Sequence, residues 1–265
     1  MWLALGILFA TPATYGIQRT TISHRPLYRD SGCIHVVYDA STVSREEAAV
    51  LDEAFAAWTD ATAACEGGLQ ITTDYQPNVP STRDGMTTVH IRRDLWDPTQ
   101  STDAVAVTHL TFVDNKFDPL DGRILEADME LNAVDFELLL PGEAPSRTRP
   151  AMYLRAVATH EIGHLIGLAH DCGTGTEAWP TDEAGNQVPP CTGAGSATTA
   201  ATMYYAVDAL DDAPSTLEPG DVAGACAIAT QVACTAEVAA GCSAARPAHA
   251  WPFLLLLALR RRRRA

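Results

Sequence analysis

Apolar residues spaced three and four apart mark the clearest element of the chain. Ala48, Leu51, Phe55, Trp58, Thr62 and Cys65 fall on one face behind Ser44, so a helix starting there buries that face. Ser44 and Glu47 have the spacing of a capping box, in which each side chain bonds the other's free backbone N–H. Gly67-Gly68 supplies the stop. Before this helix, 33–39 reads as a strand, and after it so do 69–75, 87–92, 105–113 and 124–132. Turn signals at Pro77-Asn78 and Asp84-Gly85 separate the second from the third, and an acidic loop, Asp114 to Gly122, separates the last two.

A Pro- and Gly-rich break at 141–150 is followed by Met152, Leu154, Val157, Ile162, Leu165 and Ile166, which wrap most of a helix. That helix is expected at the centre, with Pro150 in its first turn and its end near Gly167. Residues 172–201 read as loop and 221–229 as a closing helix. Strands followed by helices without strict alternation predict an α+β fold.

Charge and the two ends change this picture in part. The chain of 265 residues carries 18 Lys and Arg against 33 Asp and Glu. Five of the cations, Arg260 to Arg264, sit at the extreme end. A body this acidic repels phosphates, so no nucleic-acid partner is expected. Residues 1–16 begin with a short apolar run and read as a secretory signal cut between about Ala13 and Gly16, with an N-terminal strand or a start codon placed too early as the alternative. The seven cysteines form no C-x-x-C pair. In an exported chain they are expected as disulfides, locally paired as Cys33–Cys65, Cys172–Cys191 and Cys226–Cys234, leaving Cys242.

Candidate chemistry concentrates in the stretch His160-Glu161-Ile162-Gly163-His164-Leu165-Ile166-Gly167-Leu168-Ala169-His170-Asp171. On a helix His160 and His164 project from one face and reach one metal. Gly167 turns the chain in a left-handed conformation, which brings His170 back as a third nitrogen ligand. Three neutral imidazoles leave a tetrahedral zinc one open position, the mark of a catalytic site. Glu161, beside a ligand but off the metal axis, is placed to act as general base. By chance such a pattern is rarer than roughly one in ten thousand chains.

The stretch resembles the long metzincin signature H-E-x-x-H-x-x-G-x-x-H with its Met-turn. Thr202-Met203-Tyr204-Tyr205 resembles that turn. Within the clan the chain looks most like the matrixins: Phe55-Ala56-Ala57-Trp58 resembles their first helix, and Leu217-Glu218-Pro219-Gly220-Asp221-Val222-Ala223-Gly224 the start of their last. Ala127-Asp128-Met129-Glu130-Leu131-Asn132 resembles the edge strand lining their substrate cleft. The resemblance implies a metzincin-like zincin fold over 17–240, with a twisted, mostly parallel sheet and an antiparallel edge strand. It also implies a zinc endopeptidase acting on proteins or peptides as a monomer.

Three features depart from the matrixin pattern. Asp171 stands where matrixins have serine, as in the adamalysin-like branch. Tyr205 stands two after the methionine, like the tyrosine that astacins and serralysins use as an extra ligand, which makes it a candidate ligand or oxyanion donor. A Pro-Arg-Cys-Gly prosegment is missing, so cysteine-switch latency is not expected. Asp114, Asp118 and Asp121 are candidate calcium ligands, because hard cations favour clustered oxygens; the alternative is a solvated acidic loop.

Residues 241–265 join Gly241-Cys242, the apolar run 250–259 and the arginines. This resembles the tripartite sorting tails known from myxobacterial surface proteins, with a plain membrane tether as competitor. The run is shorter than the roughly 20 residues an independent span needs. A secreted protein anchored at the cell surface is expected. Two rivals to the endopeptidase stay open: a surface binding or adhesion module that holds zinc without cleaving, and an aminopeptidase with the same metal site.

Overall fold

The computed structural model describes residues 15–81, 84–175 and 180–229. Most of the expected signal segment, Cys234, Cys242 and the sorting tail lie outside the described residues. The described part is a mixed α/β fold with a mostly parallel sheet, four α-helices and an antiparallel edge.

Helix α1 (Arg45–Thr62) follows β2 (Cys33–Asp39), and the capping box forms as its sequence predicts: Ser44 caps the helix and Glu47 reaches back to it. The chain then crosses through β3 (Gln70–Gln76) and β4 (Thr87–Arg92) to the antiparallel pair β5 (Ala106–Phe112) and β6 (Ile124–Asn132). The sheet order is β3-β2-β4-β6-β5, so β5 stands at the edge and β6 inside. This corrects the expectation that the edge strand is the one carrying 127–132. Alternating apolar and polar residues along β6 suit an edge as well as an interior strand, and only the pairing decides.

The strand residues sort by face. Ile34, Val36, Tyr38, Val89, Ile91, Ala127, Met129 and Leu131 join the core with Leu51, Phe55 and Trp58 of α1. The other face of β4 and β6 is polar yet buried, with Thr88, His90, Glu126, Asp128 and Glu130 on it. Their carboxylates find partners nearby. Thr88 Oγ1 donates to Asp128 Oδ1 at 2.5 Å, Arg92 pairs with Glu130, and the Gly85 N–H donates to Glu126 Oε2.

Burial, with the neighbouring Glu126 and Asp84 charges adding, pushes the Asp128 carboxyl from its ordinary 3.8 to about 6. A folded-state value above the unfolded one means stability that is fully present below about pH 4 and drains away as pH rises through 6. Asp128→Asn keeps the acceptor for Thr88. It is expected to abolish that slope and to stabilise the protein at pH 7 by on the order of 2 kcal/mol. Urea midpoints of both proteins at pH 4 and pH 7 check this, and parallel pH slopes would refute it.

After β6 come β7 (Glu137–Leu139) and β8 (Ala151–Tyr153), a parallel pair, and then helix α2 (Leu154–Ile166). Met152 therefore lies on a strand, and Pro150 precedes that strand rather than entering the helix. The short pairing partner at 137–139, invisible in the local pattern, captures 151–153. Within the region expected as loop, Ser196–Thr199 forms a one-turn helix, α3. Helix α4 (Pro219–Ala229) closes the described chain. The N-terminal strand β1 (Gly16–Ile17) pairs antiparallel with β9 (Leu168–Ala169), directly after α2.

Cys172–Cys191 forms as expected. Cys65 pairs instead with Cys226, across 161 residues with Cα atoms 5.4 Å apart, so the local pairs Cys33–Cys65 and Cys226–Cys234 do not exist. Proximity in sequence misleads here because α1 packs against α4. Cys33 is disulfide-bonded as well. Such bonds are consistent with an extracellular protein. Among the described residues no helix is long and apolar enough to cross a membrane.

Candidate metal centre

Helix α2 carries His160 and His164 one turn apart, and its last turn ends at Gly167 with φ of 115°. That left-handed residue reverses the chain, as its sequence position predicts. His170 returns to the other two, and ligand atoms of the three rings all lie within 4.8 Å of one another. His164 Nε2 and His170 Nε2 are 3.2 Å apart. Two nitrogens on a tetrahedral zinc at 2.0–2.1 Å are about 3.3 Å apart, so this separation suits a shared metal.

The far sides of two rings are tied down. His160 Nδ1–H donates to the Thr202 carbonyl at 2.6 Å, and His164 Nδ1–H to the Leu168 carbonyl at 2.8 Å. These bonds hold the tautomer that leaves Nε2 with a free lone pair, as metal-binding imidazoles require. Burial, then the neighbouring imidazoles, push His160 down to about 4 and His164 well below its usual value. Rings held neutral are rings ready to ligate. On donor chemistry and spacing, His160, His164 and His170 could hold a metal ion.

Glu161 follows the first histidine and is 6% exposed. Burial pushes its carboxyl up to about 7 against the opposing hydrogen bond of Thr108. That bond runs from Thr108 Oγ1 to Glu161 Oε2 at 2.7 Å. Thr108, His160, Glu161, His164, His170 and Tyr205 all line one open cavity of about 1390 Å³. Its lining also includes 103–108, which lead into and begin β5, and the N-terminal residues 17–21.

Beneath the histidines lies Met203, 2% exposed. A Cβ added to Gly163 would meet the Met203 sulfur at 2.1 Å and Trp58 at 3.1 Å, so the methionine occupies the space the glycine leaves. Trp58 Nε1–H also donates to the Thr159 carbonyl at 2.8 Å, locking α1 to the residue before His160. The turn at 202–203 is held by one buried carboxylate. Asp221, at the start of α4, accepts the N–H groups of Thr202, Met203 and Glu218 at 2.9–3.1 Å. Asp171 lies beside it, and its own N–H donates to the Met203 carbonyl at 3.1 Å. Among the described residues neither Asp171 carboxylate oxygen has a hydrogen-bond partner from another residue, and burial followed by the Asp221 charge pushes it up to about 7. Tyr205 is half exposed, with its ring centroid 6.4 Å from that of His170.

The three candidate calcium ligands are not brought together. Asp114 accepts from Thr21 and the Ile22 N–H. Asp118 accepts the Leu120 N–H, and Asp121 the Asn115 N–H and the Ser23 hydroxyl. Each carboxylate shapes its own loop, and among the described residues only the three histidines cluster as metal ligands. Sequence reasoning missed Thr108, the Asp221 acceptor and the role of Gly163. A threonine on a strand 53 residues from Glu161 carries no local signal. The small residue between His160 and His164 was visible, but the methionine that needs it could be placed only in space.

A scan against protein-family models finds no match to the chain, and neither does a search of curated proteins.

Proposed function

We propose that the chain is a secreted zinc-dependent endopeptidase of the metzincin type, most like the matrixins. One observation carries the reading: three imidazoles, two of them with tethered far sides, converge while a buried carboxylate from the same helix faces the same cavity. A structural zinc site has no use for such a carboxylate beside an open cleft.

His160, His164 and His170 would hold the zinc, which would supply a Lewis acid and lower the pKa of a water from 15.7 to roughly 7. Glu161 takes the proton released as water adds to the peptide carbonyl, and hands it to the leaving amine as the C–N bond breaks. A carboxyl pushed up to about 7 is suited to both transfers near neutral pH. Tyr205, whose ring lies beside that of His170, would serve as donor for the developing oxyanion or as a further metal ligand. The substrate strand adds to the open edge of the sheet, which is β5 and not the strand at 127–132. Resemblance to surface sorting tails supports anchoring through 241–265.

The test uses the full chain with casein and a mixed peptide library. Chelator is expected to abolish cleavage inside the peptides and added zinc to restore it, with about one zinc per chain. Bound zinc without any cleavage would favour the binding module. Release of single N-terminal residues would favour the aminopeptidase, and a chain that takes up no zinc would end the proposal.

A further inference from the structure

Among the described residues, the Thr108 hydroxyl is the side-chain donor that reaches Glu161. It lies 2.7 Å from Oε2 and 3.2 Å from the Glu161 backbone carbonyl. A buried carboxylate held at one oxygen presents the other in a set direction. Held at neither, it samples rotations about its last bond. Threonine is suited to this hold, because its branched Cβ makes χ1 stiff and β5 is pinned along its length by β6.

The main chain of the same residue faces the opposite duty. The Asn132 N–H donates to the Val105 carbonyl at 2.8 Å, so Ala106 opposite Leu131 is a pair without mutual hydrogen bonds. The ladder alternates, and Thr108 opposite Met129 is another such pair. The N–H and C=O of Thr108 therefore point away from β6, toward the open edge beside the cavity.

We infer that Thr108 is a positioning residue that ties the strand receiving the substrate to the base that acts on it. Its side chain orients Glu161 while its main chain is available to an incoming peptide strand. The inference rests on the endopeptidase reading, since orienting a base matters only where a proton is moved. A peptide bonded to Thr108 is thereby registered against the same residue that aims the Glu161 carboxylate.

The experiment compares the full-length wild type with Thr108→Val and Thr108→Ser. Valine keeps the branched shape and removes only the hydroxyl. Thr108→Val is expected to lower kcat by about ten- to a hundredfold, the range for losing a hydrogen bond to a charged group. KM should stay within about threefold and zinc content unchanged. Serine restores the hydroxyl and should recover most of the lost kcat. A kcat unaffected by valine, a serine variant as slow as valine, or zinc lost with valine would each overturn the inference.

A second measurement does not depend on activity. In metal-free protein, urea unfolding of wild type, Thr108→Val, Glu161→Ala and the double variant forms a cycle. Valine is expected to shift the unfolding equilibrium at least about fivefold more with Glu161 present than with alanine there. Equal shifts would show that the pair is not coupled and overturn the inference whatever the kinetics. Coupling in a wild type that cleaves nothing would instead overturn the endopeptidase reading, and the catalytic role of Thr108 with it.

Discussion

Glu161→Gln is expected to slow peptide hydrolysis by at least about a hundredfold while zinc content stays at about one per chain. The substitution is nearly isosteric, and glutamine accepts the Thr108 hydroxyl as the carboxylate does. What it cannot do is take up a proton near neutral pH. General acid–base groups contribute about a hundred- to ten-thousandfold, and Glu161 is asked to serve in both directions, so the upper part of that range is expected. None of its atoms belongs to the histidine cluster, and the metal should be indifferent to the change. Steady-state kinetics on one peptide, with metal analysis of the same samples, decides. An undiminished rate would assign the base elsewhere. Loss of zinc would make Glu161 a support of the metal site rather than a proton carrier.

The second large effect is expected from Asp221→Ala. This carboxylate accepts three backbone N–H groups, those of Thr202, Met203 and Glu218, and all three lose their partner at once. Each hydrogen bond to a charged group is worth about 1.5–3 kcal/mol. Two terms offset part of the loss: burying Asp221 is itself costly, and its charge opposes that of Asp171. A net destabilisation of about 3 kcal/mol is expected, read from urea or thermal unfolding.

The consequence should reach the metal. Thr202 carries the carbonyl that orients His160, and Met203 fills the gap above Gly163. Zinc affinity should therefore fall by about ten- to a hundredfold, the usual effect of losing a group that orients a ligand. Competition with a chromophoric chelator measures it. A variant that keeps its zinc affinity and loses under 1 kcal/mol would show that the turn holds itself.

How much of this was legible in the chain follows from the range of the forces involved. The capping box at Ser44 and Glu47, the one-turn spacing of His160 and His164, and the reversal at Gly167 depend on neighbours within about four residues, and all three appear where their sequence places them. The strand positions were also readable, because alternation records which residues a sheet will bury. Pro150 misled for the same reason in reverse. Its local preference is for a helix start, but the pairing of 151–153 with Glu137–Leu139 overrides it.

The amino-acid sequence by itself determined the helix that bears the histidines, their convergence on one side of it, and the carboxylate beside them. These are consequences of helical periodicity and of one residue without a Cβ. Only the tertiary structure decided which strand is the edge, that Cys65 meets Cys226, that Thr108 meets Glu161, and that one aspartate at the start of α4 holds the turn beside the three histidines. Each of those choices joins residues far apart in the chain. They follow from how the sheet and helices pack, and no local pattern of apolar and polar positions contains that information.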